Sequence, residues 1–379
     1  MKNILTGFIM NGKAGGVDKY LLNFLEITKN EDVQIDFMTN EVDLELKNKL
    51  YEYGSRLFEI PSLKHPVKQY YRVREILKNG KYDMVYLNVS TAIDCVAAFA
   101  AKSEGIAERV IHSHSSGNDC QSRIQRLIYN IVHKICHLFL YRAGTSYLAC
   151  SKTAGLWLFP EKIVESDKFH VIYNAVDRRK FTYRPELKKE LRMSQGTKEQ
   201  FVIGHAGNFC YVKNYPFIIE VFAEVKRRCN NVTFLLAGTG VELEDVKRHV
   251  REKGLEKDVK FLGWCEDTNS FYHSIDLFLL PSRFEGLPIV GVEAQCTNVQ
   301  CIMSSSITKE AKIQDHCFFL PLDKGAAWWA EFIMEHRSYD REAVKLLDEA
   351  ANYDLENQKQ QLLELARLEL DIKTINNKK

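Results

Sequence analysis

Short apolar runs alternate with longer amphipathic segments along most of the chain. In the first half, runs such as VQIDFM, DMVYLN and SYLAC are separated by stretches in which apolar residues recur with the helical period. Strands that alternate with such helices predict a parallel, doubly wound sheet that binds ligands at the carboxyl ends of its strands. The alternation resumes at FVIGHAG (201–207), after a polar segment, LKKELRMSQGTKEQ (187–200), which we interpret as a connection. The pattern therefore predicts an α/β protein with two Rossmann-like sheets.

The length fits this division, because 379 residues are enough for two domains that each bury a core. We place the first domain at 1–170 and the second at 171–352, and we assign 353–379 to a final helix with a frayed tail. Hydrophobic content of 45% and charged content of 27% are ordinary for a globular enzyme. A formal net charge of +2 gives no reason to expect a nucleic-acid partner.

The cysteines and the apolar runs bear on location. The ten cysteines include no C-x-x-C pair, which favours reduced thiols in a cytosolic protein. No apolar run approaches the roughly 18 residues that a spanning helix needs, and the first residues lead directly into a strand without a signal peptide. We therefore expect a cytoplasmic protein that does not cross a membrane.

The most informative stretch is VKFLGWCEDTNSFYHSIDLFLLPSRFEGLPIVGVEAQ (259–295). It predicts a strand, a helix, a strand, a sharp loop and a helix, in that order. Pro288 suits the first turn of the last helix, since its missing N–H costs nothing there and its fixed φ is already helical. The amides around it would then be exposed at a helix N-terminus, which binds phosphate readily.

Two glutamates, Glu285 and Glu293, lie eight positions apart across that helix start. Carboxylates accept hydrogen bonds from sugar hydroxyls and N–H groups bind phosphate oxygens, so together they fit a nucleotide sugar. Each glutamate alone also has an ordinary explanation, because Glu285 can cap the helix and Glu293 can lie on its wet face. The combination with the flanking strands favours the ligand site.

Glu285-Gly286-Leu287-Pro288 followed by Glu293-Ala294 resembles the signature of the large fourth family of retaining glycosyltransferases. The resemblance implies the GT-B fold, in which two Rossmann-like, doubly wound parallel-sheet domains face a cleft. It implies that Glu285 contacts donor-sugar hydroxyls, that Glu293 holds the ribose, and that the intervening backbone meets the diphosphate. It also implies that the final helix crosses back onto the first domain.

The loop after FVIGHAG extends the resemblance to a Gly-Arg-x-x-x-x-Lys-Asn pattern whose arginine and lysine clamp the diphosphate. Lys213 matches the lysine, which supplies a point charge with three donors. Asn208 stands where the arginine is expected, so one cation is missing. Gly238, in FLLAGTG, resembles the family's glycine turn beside the nucleotide. Trp264 could approach the base, although a packing role fits it equally well.

Gly15 and Gly16 close a glycine-rich loop that begins at residue 11, between the first strand and the first helix. Glycines at such a turn let the backbone approach a ligand closely. The loop is not G-x-G-x-x-G, however, and many α/β domains begin with a glycine turn for packing alone. The resemblance implies that this loop lines the cleft between the domains.

Two histidines, His112 and His114, occur at the end of the predicted strand RVIH, and residues two apart share one side of a strand. A lone histidine is more often structural, and this is our interpretation of His112. The resemblance places at this strand end a histidine that reaches the donor sugar. We assign that role to His114, with His112 as the alternative.

Two basic stretches bear on membrane association. Residues 61–81 contain six Lys or Arg and one acid, and a predicted helix at 121–143 sets Arg123, Arg126, Lys134 and Arg142 beside an Ile/Leu/Val stripe. A basic amphipathic helix can lie on an anionic membrane surface. For each stretch alone, a solvated face over an ordinary core stripe is the commoner explanation, so both interpretations stay open.

The predicted activity is transfer of a sugar, with retained configuration, from a nucleotide diphosphate sugar such as a UDP-sugar to a carbohydrate acceptor. His114, Lys213 and Glu285 are the predicted catalytic residues, and no metal or other cofactor is expected. Residues 305–311 look most like those of capsular or exopolysaccharide transferases, so we expect a lipid-linked glycan acceptor and a peripheral position on the inner face of the plasma membrane.

Two other functions fit the same residues. One is a different GT-B enzyme, such as a nucleotide-sugar epimerase or a phosphorylase, although the glutamate pair speaks against the epimerase. The other is a non-catalytic nucleotide-sugar-binding partner subunit of a transferase, which Asn208 keeps open.

Overall fold

The structure, a computed structural model, describes residues 1–10 and 15–367. The chain divides into two compact units. The first unit comprises Met1–Asn118, Ser122–Asn174 and Leu355–Lys379, and the second comprises Asp119–Gln121 and Ala175–Asp354. Residues 11–14 of the glycine-rich loop and the predicted frayed tail lie outside the described residues.

The described part of the first unit contains one parallel sheet, made of the strands β1 Lys2–Gly7, β2 Val33–Thr39, β3 Leu57–Glu59, β4 Met84–Val89, β5 Glu108–Ser113, β6 Ser146–Ala149 and β7 Phe169–Val171. Their order across the sheet is β3-β2-β1-β4-β5-β6-β7. The central strand β4 is buried along its whole length, as expected for a continuous apolar run in a parallel sheet. The order reverses between β1 and β4, and ligands bind at the carboxyl ends of strands beside such a switch point.

The helices of the first unit connect these strands. They are α1 Gly16–Ile27, α2 Leu44–Glu52, α3 Pro66–Gly80, α4 Val96–Ser103, α5 Arg123–His137, α6 Lys152–Leu158 and α7 Glu161–Val164. Side chains cap three of them: Asp43 accepts from the Leu46 N–H at the start of α2, Ser122 from the Gln125 N–H at the start of α5, and Ser151 from the Ala154 N–H at the start of α6. The sequence pattern did not predict α6, α7 or β7.

The described part of the second unit contains a separate parallel sheet, made of β8 Phe201–Ala206, β9 Val232–Ala237, β10 Val259–Gly263, β11 Leu277–Leu280, β12 Gln300–Ser304 and β13 Cys317–Leu320. The order is β10-β9-β8-β11-β12-β13, so the switch point lies between β8 and β11. These two strands pair in parallel, and their carboxyl ends therefore lie side by side.

The helices of the second unit are α8 Pro185–Ser194, α9 Tyr215–Arg228, α10 Leu243–Glu252, α11 Thr268–Ser274, α12 Ile289–Cys296 and α13 Gly325–His336. The helix α14, Leu355–Arg367, then belongs to the first unit. Its Leu362, Leu365 and Ala366 are fully buried in the core that α1 and β1 share. Each unit thus has its own core of apolar side chains against a parallel sheet.

One sequence-based prediction about a connection is wrong. The polar segment 187–200 is largely the helix α8 and not a linker. One of its polar residues, Arg192, is buried in the structure. Its side chain donates to the Thr197 carbonyl and pairs with Asp276 at 2.8 Å. Between Gly325 and Tyr353 the described helical segments are α13 and a short 3₁₀ helix, Asp348–Tyr353.

The ten cysteines all carry free thiols, and six of them are buried. Among the described residues, no helix combines the length and the apolar character that crossing a membrane requires.

Candidate active site

A lysine–glutamate ion pair joins the loops that follow β8 and β11 in the second unit. The Lys213 ammonium donates to Oε1 of Glu285 at 2.6 Å, and the two side chains are only 12% and 13% exposed. The Ser282 hydroxyl donates to the same carboxylate oxygen at 2.8 Å. The structure therefore brings together two of the predicted catalytic residues, which lie 72 positions apart in the sequence.

The two loops that carry this pair are bonded to each other along their length. The Arg283 N–H donates to the Val212 carbonyl at 2.8 Å, and the Arg283 side chain donates to the Tyr211 carbonyl at 3.1 Å. Asn214 adopts a left-handed conformation with φ of 61° and donates to the Pro281 carbonyl at 3.2 Å. These bonds fix the loop that bears Lys213 against the loop that bears Glu285.

Glu293 lies on α12, which begins directly after the Glu285–Pro288 loop. The prediction that Pro288 lies in the first turn is wrong by one position, because Pro288 precedes the helix and Ile289 begins it. Glu293 is half-buried, and its Oε2 accepts from the hydroxyl of Tyr272 at 2.9 Å. Burial, followed by the nearby Glu293 charge, raises the pKa of Tyr272 well above its usual value, so this residue remains a hydroxyl donor.

Close backbone contacts explain the glycines after β8 and β9. Gly238 has a φ of 134°, and a Cβ added to it would lie 2.0 Å from the Gly207 carbonyl oxygen. Gly240, with a φ of 152°, would place a Cβ 2.5 Å from backbone atoms of Phe209. Only glycine fits at these two positions. The predicted nucleotide-side glycine, Gly238, is therefore also required for packing of the two loops.

Two other residues of this unit, Asn208 and Trp264, were predicted to belong to the donor site. Asn208 is exposed at the end of β8, so the position expected to hold an arginine presents a neutral amide. Trp264 follows β10 and is 51% exposed. β10 is three strands away from β11 in the sheet, or about 14 Å at the usual strand spacing. The strand end that precedes Trp264 is therefore separated from the strand end that precedes Glu285.

Two residues near the pair were missed by sequence reasoning. His205, on β8, is fully buried, and its Nδ1 lies 2.8 Å from the Leu279 carbonyl oxygen. Burial, and then the charge of Lys213, lowers the pKa of His205 to about 3, so the ring is neutral. Arg283 places its guanidinium 4.5 Å above the ring of Tyr211. The only available signals were a histidine inside an apolar strand and an arginine two positions before Glu285.

The predicted histidines of the first unit lie side by side at the end of β5, with His112 in the strand and His114 just after it. Their rings lie 4.0 Å apart. His112 is fully buried, with Nδ1 2.6 Å from the Tyr86 hydroxyl, whereas His114 is partly buried, with Nε2 2.8 Å from the Asn88 amide oxygen. Tyr20 packs edge-on against both rings.

Burial keeps both histidines neutral. It lowers the pKa of His114 to about 3, and it lowers that of His112 well below the usual value, with His114 as the second cause. The amide oxygen of Asn88 favours a proton on Nε2 of His114. The pair can therefore exchange hydrogen bonds but supplies no positive charge near neutral pH.

Gly15 precedes α1 with a φ of 110°, and Gly16 is the first residue of that helix. The Met10 N–H donates to Oδ1 of the buried Asp18 at 3.0 Å, which holds the end of β1 against α1. The positive φ at Gly15 explains why a glycine occupies that position.

A cavity of about 620 Å³ lies elsewhere in the second unit, beside Phe201 and Lys188. Phe201 begins β8, so this cavity is at the amino ends of the strands, opposite to Glu285. Asp276 in its wall pairs with Lys188 at 2.9 Å and with Arg192 at 2.8 Å. The cavity is therefore separate from the lysine–glutamate site. Over the described residues, no group of three or more His, Cys, Asp or Glu side chains could hold a metal ion.

Two parallel-sheet, Rossmann-like units, with an acidic and basic site at the carboxyl ends of the second sheet, match the architecture of the GT-B glycosyltransferases, and the comparisons with known proteins agree. Residues 14–180 match the family model for Glycosyltransferase Family 4, and residues 200–333 match the model for Glycosyl transferases group 1. EpsF of Bacillus subtilis (strain 168), a protein named as a glycosyltransferase, is 31% identical over 305 residues, which cover 78% of this chain and 77% of EpsF. The chain belongs to the group 1 glycosyltransferases.

Solved structures agree on the fold. Anabaena Alr3699/HepE, determined with UDP and glucose, superposes with a TM-score of 0.71 at 19% identity and covers 97% of this chain and 99% of its own. WaaG, a glycosyltransferase of lipopolysaccharide biosynthesis, gives 0.67 at 15% identity, with coverage of 98% and 99%. The predicted GT-B fold and the prediction of a glycosyltransferase enzyme are confirmed. The protein is a glycosyltransferase of glycan biosynthesis.

Proposed function

We propose that the protein transfers a hexose from a UDP-sugar, with retained anomeric configuration, to a lipid-linked glycan during synthesis of a surface polysaccharide. The observation that carries the proposal is the Lys213–Glu285 pair, which sits beside α12 and Glu293 at the switch point of the second sheet. This set offers a cation for a diphosphate and carboxylates for hydroxyls. A lipid-linked acceptor lies in a membrane, so the proposal includes peripheral association with an anionic membrane surface.

The relatives support the choice of donor and acceptor. A protein from Escherichia coli, 26% identical over 307 residues that cover 76% of each chain, is named as a UDP-Gal:alpha-D-GlcNAc-diphosphoundecaprenol alpha-1,3-galactosyltransferase. A Campylobacter jejuni relative, 23% identical, is named for an acceptor on undecaprenol diphosphate and an alpha-1,4 linkage. Alpha-linked products are what retention yields from alpha-linked nucleotide sugars.

In the proposed reaction the bond between the anomeric carbon and the diphosphate breaks, and negative charge grows on the leaving group. Lys213 and the backbone amides before α12 would stabilise that charge, since preorganised donors aimed at a developing charge act most strongly in a partly buried site. An ammonium has three N–H groups, so pairing with Glu285 leaves donors for phosphate oxygens. The departing phosphate takes the proton of the attacking hydroxyl, so the proposal assigns no protein base.

Arg283 offers a second cation for the phosphate loop. It is bonded to Tyr211 and Val212, which directly precede Lys213. Its guanidinium therefore lies on the same two loops, after β8 and β11, in which position 208 holds an asparagine instead of the expected arginine. We propose that Arg283 contributes part of the positive charge that Asn208 lacks.

Glu285 and Glu293 are assigned to the sugar and the ribose. Two donors, Lys213 and Ser282, fix the orientation of the Glu285 carboxylate, and Tyr272 fixes that of Glu293. Carboxylates held in this way are prepared to accept hydrogen bonds from ligand hydroxyls at little ordering cost.

The test is calorimetric binding of a panel of UDP-, GDP- and ADP-sugars. We expect one nucleotide to bind, and Lys213→Ala and Glu293→Ala each to weaken binding by about 10- to 100-fold, the range for hydrogen bonds to charged groups. Lys226→Ala is the matched control, because Lys226 pairs with Asp258 at 2.8 Å in the same unit away from the site.

A folded protein that binds none of the panel would contradict the proposal. Retention would then be checked by the anomeric NMR coupling of the product formed on a polyprenyl diphosphate-linked sugar. Donor binding without turnover on any acceptor would favour the partner-subunit alternative, for which Asn208 is the supporting residue.

A further inference from the structure

The helix α5 turns an apolar stripe outward. The members of the stripe recur at the i, i+3, i+4 and i+7 positions that share one helix face. They are 52–73% exposed: Ile124, Leu127, Ile128, Ile131, Ile135 and Leu138. Single exposed apolar side chains are ordinary, but a contiguous stripe of this kind marks an interaction surface.

The polar side of α5 faces the protein instead. His133 is buried, accepts at Nδ1 from the Ala92 N–H at 3.1 Å, and places Nε2 3.0 Å from the Trp157 carbonyl. Its ring stacks on that of Trp157 at 3.8 Å. Asn130 accepts from the Asn118 amide at 3.2 Å. Turning the stripe inward would break all of these contacts, so its exposure is built into the fold.

The surroundings of the stripe are positively charged. Residues 120–160 contain five Lys or Arg and no Asp or Glu. Arg123 and Lys134 are exposed, and because they are 11 positions apart they lie along the same edge of the stripe. Beyond the helix, Arg142 and, from α7, Lys162 both lie over the ring of Tyr141.

We infer that the stripe of α5 docks on an anionic phospholipid bilayer, with the helix lying flat in the headgroup region. Its apolar side chains would reach the boundary of the acyl chains while the basic edge meets anionic headgroups. With 15 residues the helix is about 22 Å long, which suits an interfacial position and not a span. The inference names the surface for the proposed membrane association and rests on that part of the proposed function.

A second copy of the chain is a poorer occupant of this surface. Two α5 helices packed through their stripes would bring only like charges together, because the helix carries no acid. An anionic bilayer satisfies both the apolar face and the charge. The basic amphipathic interpretation of residues 121–143 is thereby favoured over the core-stripe interpretation for this stretch.

The test is flotation of the full chain with vesicles of phosphatidylcholine alone and of phosphatidylcholine with about 30% phosphatidylglycerol. We expect the wild-type protein to bind the anionic vesicles and Ile128→Glu/Ile131→Glu to lower that binding by at least about tenfold. Val67→Glu/Tyr71→Glu on α3 is the matched control, since both side chains are more than 60% exposed on another basic helix, and it should bind as wild type does.

Three outcomes would overturn the inference: a folded wild-type protein that does not float, an α5 variant that floats equally, or a wild-type dimer in sedimentation velocity that the α5 variant converts to monomer. Circular dichroism checks that both variants fold. Transfer to a short, water-soluble acceptor is measured in parallel. Absence of transfer together with normal flotation would contradict the proposed activity but not the membrane surface. We expect the α5 variant to lose flotation and to keep transfer to the water-soluble acceptor unchanged.

Discussion

The two units each hold a polar cluster at the carboxyl ends of their strands, and the clusters differ in charge. In the first unit, His112 and His114 are neutral because burial lowers both pKa values. In the second unit, Lys213 and Glu285 form an ion pair that remains slightly exposed. A neutral network can exchange hydrogen bonds, whereas an ion pair can rearrange its charge around an anionic ligand. Under the proposed function, the positive charge for a diphosphate would therefore come from the second unit.

Among the substitutions that test this difference between the units, Glu285→Gln should have the largest effect on activity. It removes the charge that holds Lys213 and weakens the acceptor for sugar hydroxyls. We expect kcat/KM for the donor to fall by about 10²- to 10³-fold, the range for loss of one preorganised electrostatic contact. Nucleotide release during transfer measures it.

The control for that substitution is Asp258→Asn, which breaks the Lys226–Asp258 pair of the same unit and should leave kcat/KM within about twofold, as for an ordinary surface pair. A Glu285→Gln enzyme within threefold of wild type would mean that the ion pair is structural only.

The neutral cluster should give a smaller effect. We expect His114→Ala to lower kcat by about tenfold, since it removes a neutral hydrogen bond rather than a charge. Steady-state transfer assays measure the change, with the exposed His65→Ala as control.

The pH dependence of His114 sharpens the same prediction. Because the folded-state pKa is about 3, the ring stays neutral between pH 5 and 8 and should add no step to kcat/KM there. The unfolded chain binds more protons below pH 6.5, so the free energy of unfolding should fall as the pH drops through that window toward 3. The fall in urea midpoint from pH 7 to pH 5 should be smaller in His114→Ala. An equal or larger fall would show that burial does not suppress the charge.

Tyr272→Phe should have the smallest effect. It removes one hydroxyl that orients Glu293 without removing a charge. We expect the donor KM to rise by about 3- to 10-fold with kcat nearly unchanged, because Tyr272 acts on the ligand only through Glu293 and the loss is that of an ordinary hydrogen bond, about 0.5–1.5 kcal/mol. Tyr353→Phe, which removes a buried hydroxyl bonded to the Glu310 carbonyl, is the matched control. An unchanged KM in Tyr272→Phe would contradict the proposal that Tyr272 positions Glu293.

Strand and helix order could be predicted from the sequence, because parallel strands are continuous apolar runs and their helices are amphipathic. The Lys213–Glu285 contact was accessible only through a resemblance, since two residues 72 positions apart share no local pattern. Arg192 shows why the segment 187–200 was misread. A buried arginine makes a helix look as polar as a linker until its partners, Asp276 and backbone carbonyls, are known.

The basic helices α3 and α5 mark another limit of pattern reasoning. Both combine lysine and arginine with an apolar stripe, but Val73, Ile76 and Leu77 of α3 are buried whereas the stripe of α5 is exposed. A periodic pattern defines a face but not what covers it. The direction of α5 depends on His133, whose contacts to Trp157 on α6 and to Ala92 after β4 involve distant parts of the chain.

The position of α14 affects the order in which the protein can fold during synthesis. Leu362, Leu365 and Ala366 complete the core around α1 and β1, and Arg367 pairs with Glu31. Strand β1 therefore lacks part of its core until residues more than three hundred positions later have been made. The second unit, which ends at Asp354, is fully synthesised before then. Folding on the ribosome should thus reverse the usual N-terminal-first order, with the second unit complete before the first.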